Sequence, residues 1–287
     1  MDKVMKKVFW GCAAITILAV TFMGAYIVIN GLPFFAHTNL WAFLTGKEWI
    51  PSGEIFGIFP MLVASIYGTV GAVIIGVIVG ISTAIVLVEV LPPKLAKLLS
   101  AAVDLLAGIP SVIYGFWGLM VIVPLIDKLF GGKGAGNSLL AVIIILALMI
   151  LPTIIRMTEV SLRAVPQEYK EGALALGASK LQYIFKVQLR AGKSGILAGI
   201  ILAIGRALGE TMAVILVAGN TPLIPQNITD PVRTLTANIA IEMSYASGVH
   251  QQALFATGMV LFIIIVGINL LMRKINNRME GSSRHGK

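Results

Sequence analysis

Five stretches of this chain carry no charged residue over a length sufficient to cross a lipid bilayer as a helix: from Lys7 to the Lys47, Glu48 pair, and between Glu54 and Glu89, Asp104 and Asp127, Lys133 and Arg156, and Glu242 and Arg273. About 20 apolar residues cross the hydrocarbon, and each peptide group inside it must be bonded within its own segment, which selects helices. A sixth stretch, from Lys193 to Asp230, is interrupted by Arg206 and Glu210. With 57% hydrophobic and 12% charged residues, the chain has too little polar surface to cover a water-soluble globule. It reads as one all-α, polytopic membrane domain over 1–287, with spans near 8–30, 61–88, 104–126, 138–158, 195–218 and 253–272.

Orientation follows from the basic residues, because Lys and Arg accumulate on the cytoplasmic side. With the N-terminus inside, the inner segments hold seventeen of the 22, among them Lys3, Lys6, Lys7, Lys94, Lys97, Arg156, Arg163, Lys170, Lys180, Lys186, Arg190, Lys193, Arg273, Lys274, Arg278, Arg284 and Lys287. The outer loops hold four, Lys47, Lys128, Lys133 and Arg233, and Arg206 lies in the membrane. Both ends are therefore expected in the cytoplasm. The net charge of +9 is a topology signal and not an affinity for nucleic acid. The single cysteine, Cys12, excludes an intrachain disulfide.

Two connections are longer than a turn. The outer one, 31–60, carries Trp41, Trp49, Pro51, Glu48 and Glu54, and is read as aromatic anchors packed at the membrane surface or as a contact for an external protein. The inner one, 159–193, reads as two short helices. Pro166 takes a first helical position with Glu168 in the opening turn, and Val165, Tyr169, Ala173 and Leu176 share a face. Gly177 ends that helix. Ser179 and Gln182 then form a capping box for a second, which carries Leu181, Ile184 and Phe185. Such an element is either a knob on which another protein pushes or an amphipathic segment lying on anionic lipid.

Arg206 and Glu210 are four residues apart, which places them on one face near the middle of the fifth span. A charge at that depth costs about 2.5–3.5 kcal/mol on insertion scales, so both must face protein or water. Two readings fit: a salt bridge that locks the bundle, or a polar pathway in which the guanidinium meets an oxyanion. In the third span Gly108-Ile109-Pro110-Ser111 breaks the helix, with Tyr114 one turn on. Gly68, Gly71, Gly76, Gly80, Gly195 and Gly199 are expected to permit close helix approach. No nucleotide loop is present: Gly192-Lys193-Ser194 lacks the required glycine, since position 187 is Val187, and Gly131-Gly132-Lys133-Gly134 lacks the following Ser or Thr.

Glu171-Gly172-Ala173, then Gly177, then Val187-Gln188-Leu189 resembles the signature loop of binding-protein-dependent ABC importer permeases, departing from it at Gly172, Val187 and Arg190. Gly205-Arg206-Ala207-Leu208-Gly209-Glu210-Thr211-Met212-Ala213-Val214, with Ala107 to Gly115 and with Trp49-Ile50-Pro51 before Phe56-Gly57, is similar to the phosphate-transporting permeases of that family. The resemblance implies a type I, MetI-like importer bundle in a prokaryotic inner membrane. It also implies that the chain is no enzyme and forms half of an alternating-access pathway with a homologous permease subunit. Two ATPase subunits carrying ATP and Mg would dock inside, and a phosphate-binding protein outside. It gives the docking role to residues of the inner loop, Glu168, Glu171, Ala173, Gly177, Ala178, Leu181, Phe185 and Leu189, and the pathway to Arg206, Glu210, Thr211 and Ser111. In that arrangement Glu210 would hold Arg206 or weaken anion binding enough for release. A permease for molybdate or sulfate would share the architecture, whereas a secondary transporter would need its own ion-coupling site.

Overall fold

The computed structural model describes residues 2–130 and 136–284. The glycine-rich stretch at 131–134, with Lys133, lies outside the described residues, as do the side chains of Lys3, Arg273, Arg278, Arg284 and Lys287. Five helices are long and apolar enough to cross a membrane: Val4–Ala36, Phe59–Val90, Ser111–Leu129, Leu139–Arg163 and Gly248–Leu271. A sixth candidate is a broken pair, Lys180–Ala191 and Lys193–Gly209, bent by 69°. The architecture is an all-α membrane bundle.

In chain order, α1 (Asp2–Gly31) leads to α2 (Leu40–Thr45) and a two-residue hairpin, β1 (Trp49–Ile50) and β2 (Ile55–Phe56), paired antiparallel. Next come α3 (Phe59–Ile85), α4 (Pro93–Gly108), α5 (Ser111–Trp117), α6 (Val123–Leu129) and α7 (Leu139–Arg163). The inner loop holds α8 (Gln167–Ala175), α9 (Lys180–Gln182) and α10 (Leu189–Ala191). The chain finishes with α11 (Lys193–Gly209), α12 (Met212–Val217), α13 (Leu235–Glu242) and α14 (Gly248–Arg284).

The centre of the bundle is the pairing of α3 with α7. Val142, Leu146, Ile150 and Ile154, at helical spacing, turn their buried side chains toward a glycine-bearing face of α3. A Cβ placed at Gly71 would lie 2.7 Å from Ile143 Cδ1, and one at Gly80 would lie 2.7 Å from Ile154 Cγ2. Lipid tails are as apolar as leucine, so such close packing is what holds membrane helices together. The expectation for Gly195 and Gly199 is met as well, since Cβ atoms there would collide with Ser161 and Met157 of α7.

Two expected spans differ from the observed helices. The third was placed from residue 104, but Asp104 belongs to α4, a separate helix that ends at Gly108. Pro110 lacks an N–H and forces its predecessor out of the helical region, so the chain runs extended through Ile109 and Pro110 and restarts at Ser111. The fifth was drawn as one helix over 195–218. It is α11 and α12, separated at Glu210, whose ψ of 130° is extended.

The outer connection folds onto protein rather than membrane. Phe34 meets Phe43 at 4.9 Å and Phe56 at 5.7 Å between ring centroids, all three buried. Trp49, in a connection read either as membrane-surface anchors or as a contact for an external protein, belongs to this cluster. It is 6% exposed and donates its indole N–H to Glu242 at 2.8 Å, whereas Trp41 is 71% exposed. A polar indole nitrogen with a buried carboxylate within reach gains more from that bond than from the headgroup region. The hairpin closes on α2 so tightly that a Cβ at Gly57 would lie 2.3 Å from the Gly46 carbonyl carbon. Gly57→Ala is therefore expected to destabilise the chain by about 1–3 kcal/mol, read as a lower Tm in detergent.

Candidate functional site

Two helix breaks lie side by side inside the bundle. α5 and α12 run parallel: a Cβ at Gly115 would meet Ala213 Cα at 2.7 Å, and one at Gly118 would meet Val217 Cγ1 at 3.0 Å. Their starts, at Ser111 and Met212, are thus neighbours. The carbonyl that the break leaves at Leu106 is recovered by the Tyr114 hydroxyl, which donates to it at 2.8 Å. At the other break the Thr236 hydroxyl donates to the Glu210 carbonyl at 2.7 Å. Non-helical backbone at membrane depth persists only where it is buried in protein or lines a cavity, and here side chains complete it.

The four residues expected to line a pathway gather at these breaks without bonding one another. Arg206 is in the last turn of α11, partly exposed, with its Nη1 3.5 Å from Thr153 Oγ1 and within electrostatic reach of the Tyr114 phenol. Among the described residues it makes no ion pair. Glu210, expected one helical turn away on the same face, sits beyond the helix end, and its Oε1 accepts the Ala213 N–H at 3.0 Å. The intrahelical salt bridge is therefore absent, because the chain leaves the helical path between the two residues and the carboxylate caps the next helix. Thr211 donates its hydroxyl to Gly209 O at 3.3 Å, and Ser111 opens α5. A small enclosed cavity bordered by Ser65, Thr69, Glu210 and Thr234 lies beside the break.

The inner loop follows its capping signals. Gly177 has φ +83°, and the Ser179, Gln182 capping box is complete in both directions. Pro166 is one place earlier than expected: it is the N-cap of α8, and Gln167 is the first helical residue. Leu176, Leu181 and Phe185 are 91%, 66% and 59% exposed, whereas Ile184 faces inward. Glu168, Glu171, Gly177 and Leu181 are exposed, with Ala173, Ala178 and Leu189 half-buried behind them. Burial first, and then the Glu89 carboxylate, push the Tyr183 phenol above its ordinary pKa, so it stays protonated.

Several charged residues that bound the apolar runs in the sequence pair across the fold. Asp104 joins α4 to α7 by accepting Arg156 Nε at 2.6 Å. Arg156 also reaches Glu159 at 2.7 Å, and Arg163 reaches Glu159 at 3.1 Å. Glu89 takes Lys170 Nζ at 2.7 Å, and Glu242 takes Arg233 Nη1 at 2.6 Å. For Glu89 and Glu242, an isolated carboxylate at the end of a long apolar run is the available signal, since burial demands a partner from elsewhere.

Broken crossings around a cation that pairs with no carboxylate among the described residues, with an apolar-tipped helical knob at one end, fit the membrane subunit of a transport machine. The chain belongs to the family of binding-protein-dependent transport system inner membrane components, which matches residues 76–281. It is 35% identical over 279 residues to the probable ABC transporter permease protein YqgH of Bacillus subtilis, covering 95% of this chain and 90% of that one. It is 38% identical over 262 residues to the phosphate transport system permease protein PstC of Mesorhizobium japonicum, covering 83% and 79%. Its fold is similar to a chain in the inward-facing MetNI methionine ABC transporter, with a TM-score of 0.62 at 19% identity over 81% of this chain and 99% of that one.

Proposed function

We propose that this chain is one permease half of an ATP-driven phosphate importer and that Arg206 contacts the anion as it crosses. The observation that carries the reading is a guanidinium inside a crossing helix with no carboxylate bonded to it among the described residues. A charge at that depth needs compensation, and a passing oxyanion supplies it bidentately. Ser111 and Thr211, at the adjacent breaks, offer hydroxyls. Glu210 is held by Ala213 N–H, so its proposed part is to limit anion affinity by repulsion rather than to anchor Arg206. The relatives named as phosphate transport permeases, identical at 34–38% of aligned positions, support phosphate as the substrate.

The proposed partners are a PstA-like permease completing the pathway, two PstB-like ATPases that hold ATP and Mg, and a PstS-like phosphate-binding protein outside. Both chain ends lie in the cytoplasm in this arrangement, with residues from Glu168 to Leu189 docked on an ATPase. The exposed apolar tip of the loop supports that docking, because a solvated surface gains nothing from Leu176, Leu181 and Phe185 together. Leu181→Asp is expected to lower ATPase retention on the purified membrane subunits by about tenfold or more, as loss of an interface anchor does. The assignment of substrate is tested by uptake of labelled phosphate into vesicles holding the complete complex. Unlabelled phosphate should compete, and molybdate and sulfate should not; equal competition by either would replace phosphate with a broader oxyanion class.

A further inference from the structure

Among the described residues, three side chains of the inner loop converge on one residue at the end of α3. Glu89 stands in a π-helical turn, Val86–Val90, that extends α3 at its inner end, and its side chain is 5% exposed. Its Oε2 takes Lys170 Nζ at 2.7 Å, from the outgoing arm of the loop, and its Oε1 takes Gln188 Nε2 at 2.9 Å, from the returning arm. The backbone carbonyl of Glu89 accepts Lys180 Nζ, just past the tip. Lys170 also lies over the Tyr183 ring, 5.6 Å from its centroid. Gln188 and Tyr183 belong to a second π-helical turn, Tyr183–Gln188, so both members of the joint have the same uncommon backbone.

The opposite end of the loop is bare. Gly177, at the tip, has nothing within 4 Å of where a Cβ would stand. An element pinned at its base from both arms and free at its tip has the mechanics of a lever. Separating the base from α3 would strand a buried carboxylate, which is costly, so displacement of the tip is passed on to α3 instead.

We propose that Glu89 is the positioning residue of coupling: by holding Lys170, Lys180 and Gln188 at once, it makes the loop and the inner end of α3 a single rigid body. Work applied to the tip then tilts α3 and, through the glycine-packed α3 and α7 pair, the wall that carries Thr153 beside Arg206. This inference rests on the reading of the loop as the ATPase contact. Nothing in it requires Glu89 to touch the ATPase or the transported anion.

The test uses the complete complex in proteoliposomes and reads three quantities together: ATPase retained, ATP hydrolysed and phosphate imported. Glu89→Gln keeps the shape and one amide contact but removes the charge that holds Lys170. The expected result is that the ATPase stays bound and hydrolyses within about twofold of the wild-type rate, while phosphate imported per ATP falls by about tenfold or more. Lys170→Met, at a half-exposed position, should lower the same ratio, and the double variant should be no worse than Glu89→Gln alone, since both remove one contact. An unchanged import-to-hydrolysis ratio in Glu89→Gln would overturn the proposal. If Glu89→Gln does not assemble, Lys170→Met decides by the same criterion. A wild-type complex that hydrolyses ATP without importing phosphate would remove the functional reading itself and this inference with it. Wild-type import beside a normal ratio in both variants would remove the inference alone.

Discussion

Arg206→Gln is expected to reduce phosphate uptake by about a hundredfold or more, while the complex assembles in normal amounts. The magnitude follows from losing the bidentate, charge-assisted hydrogen bonds to the anion, each worth about 1.5–3 kcal/mol. Normal assembly follows from the geometry. Arg206 reaches only Thr153 Oγ1, at 3.5 Å, by hydrogen bond, and no carboxylate is paired with it among the described residues. Removing the charge therefore strands no buried partner. Had Arg206 and Glu210 formed the salt bridge suggested by their spacing, the same substitution would have left an uncompensated carboxylate and damaged folding as well. Uptake of labelled phosphate and recovery of the partner subunits, measured on one preparation, separate the two cases. Unimpaired uptake in this variant would exclude Arg206 from the pathway.

The largest loss of stability is expected at Glu242, the last residue of α13. Glu242 is 5% exposed and accepts three donors: Trp49 Nε1 at 2.8 Å, Arg233 Nη1 at 2.6 Å and His250 Nε2 at 2.8 Å. These come from the outer hairpin, the segment before α13 and the start of α14, so one carboxylate joins three parts of the outer face. Arg233 also donates to Asn220 O and Asn238 Oδ1, which fixes the guanidinium independently of Glu242. Glu242→Ala leaves that guanidinium buried without its counter-charge, an effect of about 3–5 kcal/mol. Trp49→Phe removes a single hydrogen bond to a charged group and retains the ring, so it should cost about 1.5–3 kcal/mol. Thermal unfolding in detergent should order the two variants with Glu242→Ala the lower; the reverse order would mean that indole packing, not the charge network, holds the outer face.

Legibility of the sequence depended on how local each signal was. Gly177 and the Ser179, Gln182 box lie within a few residues of what they control, so the end of α8 and the start of α9 were readable from spacing alone. The glycines of α3 were readable for a similar reason, since a stripe of small residues in a crossing helix has few uses other than close approach. Glu210 is the contrary case. Helical spacing put it beneath Arg206, and nothing in Gly209-Glu210-Thr211 forces the helix to stop. The stop is stabilised by Thr236, 26 residues later, whose hydroxyl takes the freed carbonyl of Glu210. Asp104 is alike: in the sequence it only bounds an apolar run, and in the structure it is the partner of Arg156, 52 residues away.

The order of apolar runs by itself determined that this is a helical membrane protein, because solvation of peptide groups leaves no other arrangement for such runs, and the local capping signals determined a helix-glycine-helix knob between two of the crossings. Only the tertiary structure decided where two of the crossings break, which acids pair with which bases, and that Arg206 has no carboxylate partner among the described residues. Those outcomes depend on contacts between residues far apart in the chain, and a hydrogen bond or ion pair of that kind leaves no periodicity in the sequence from which to read it.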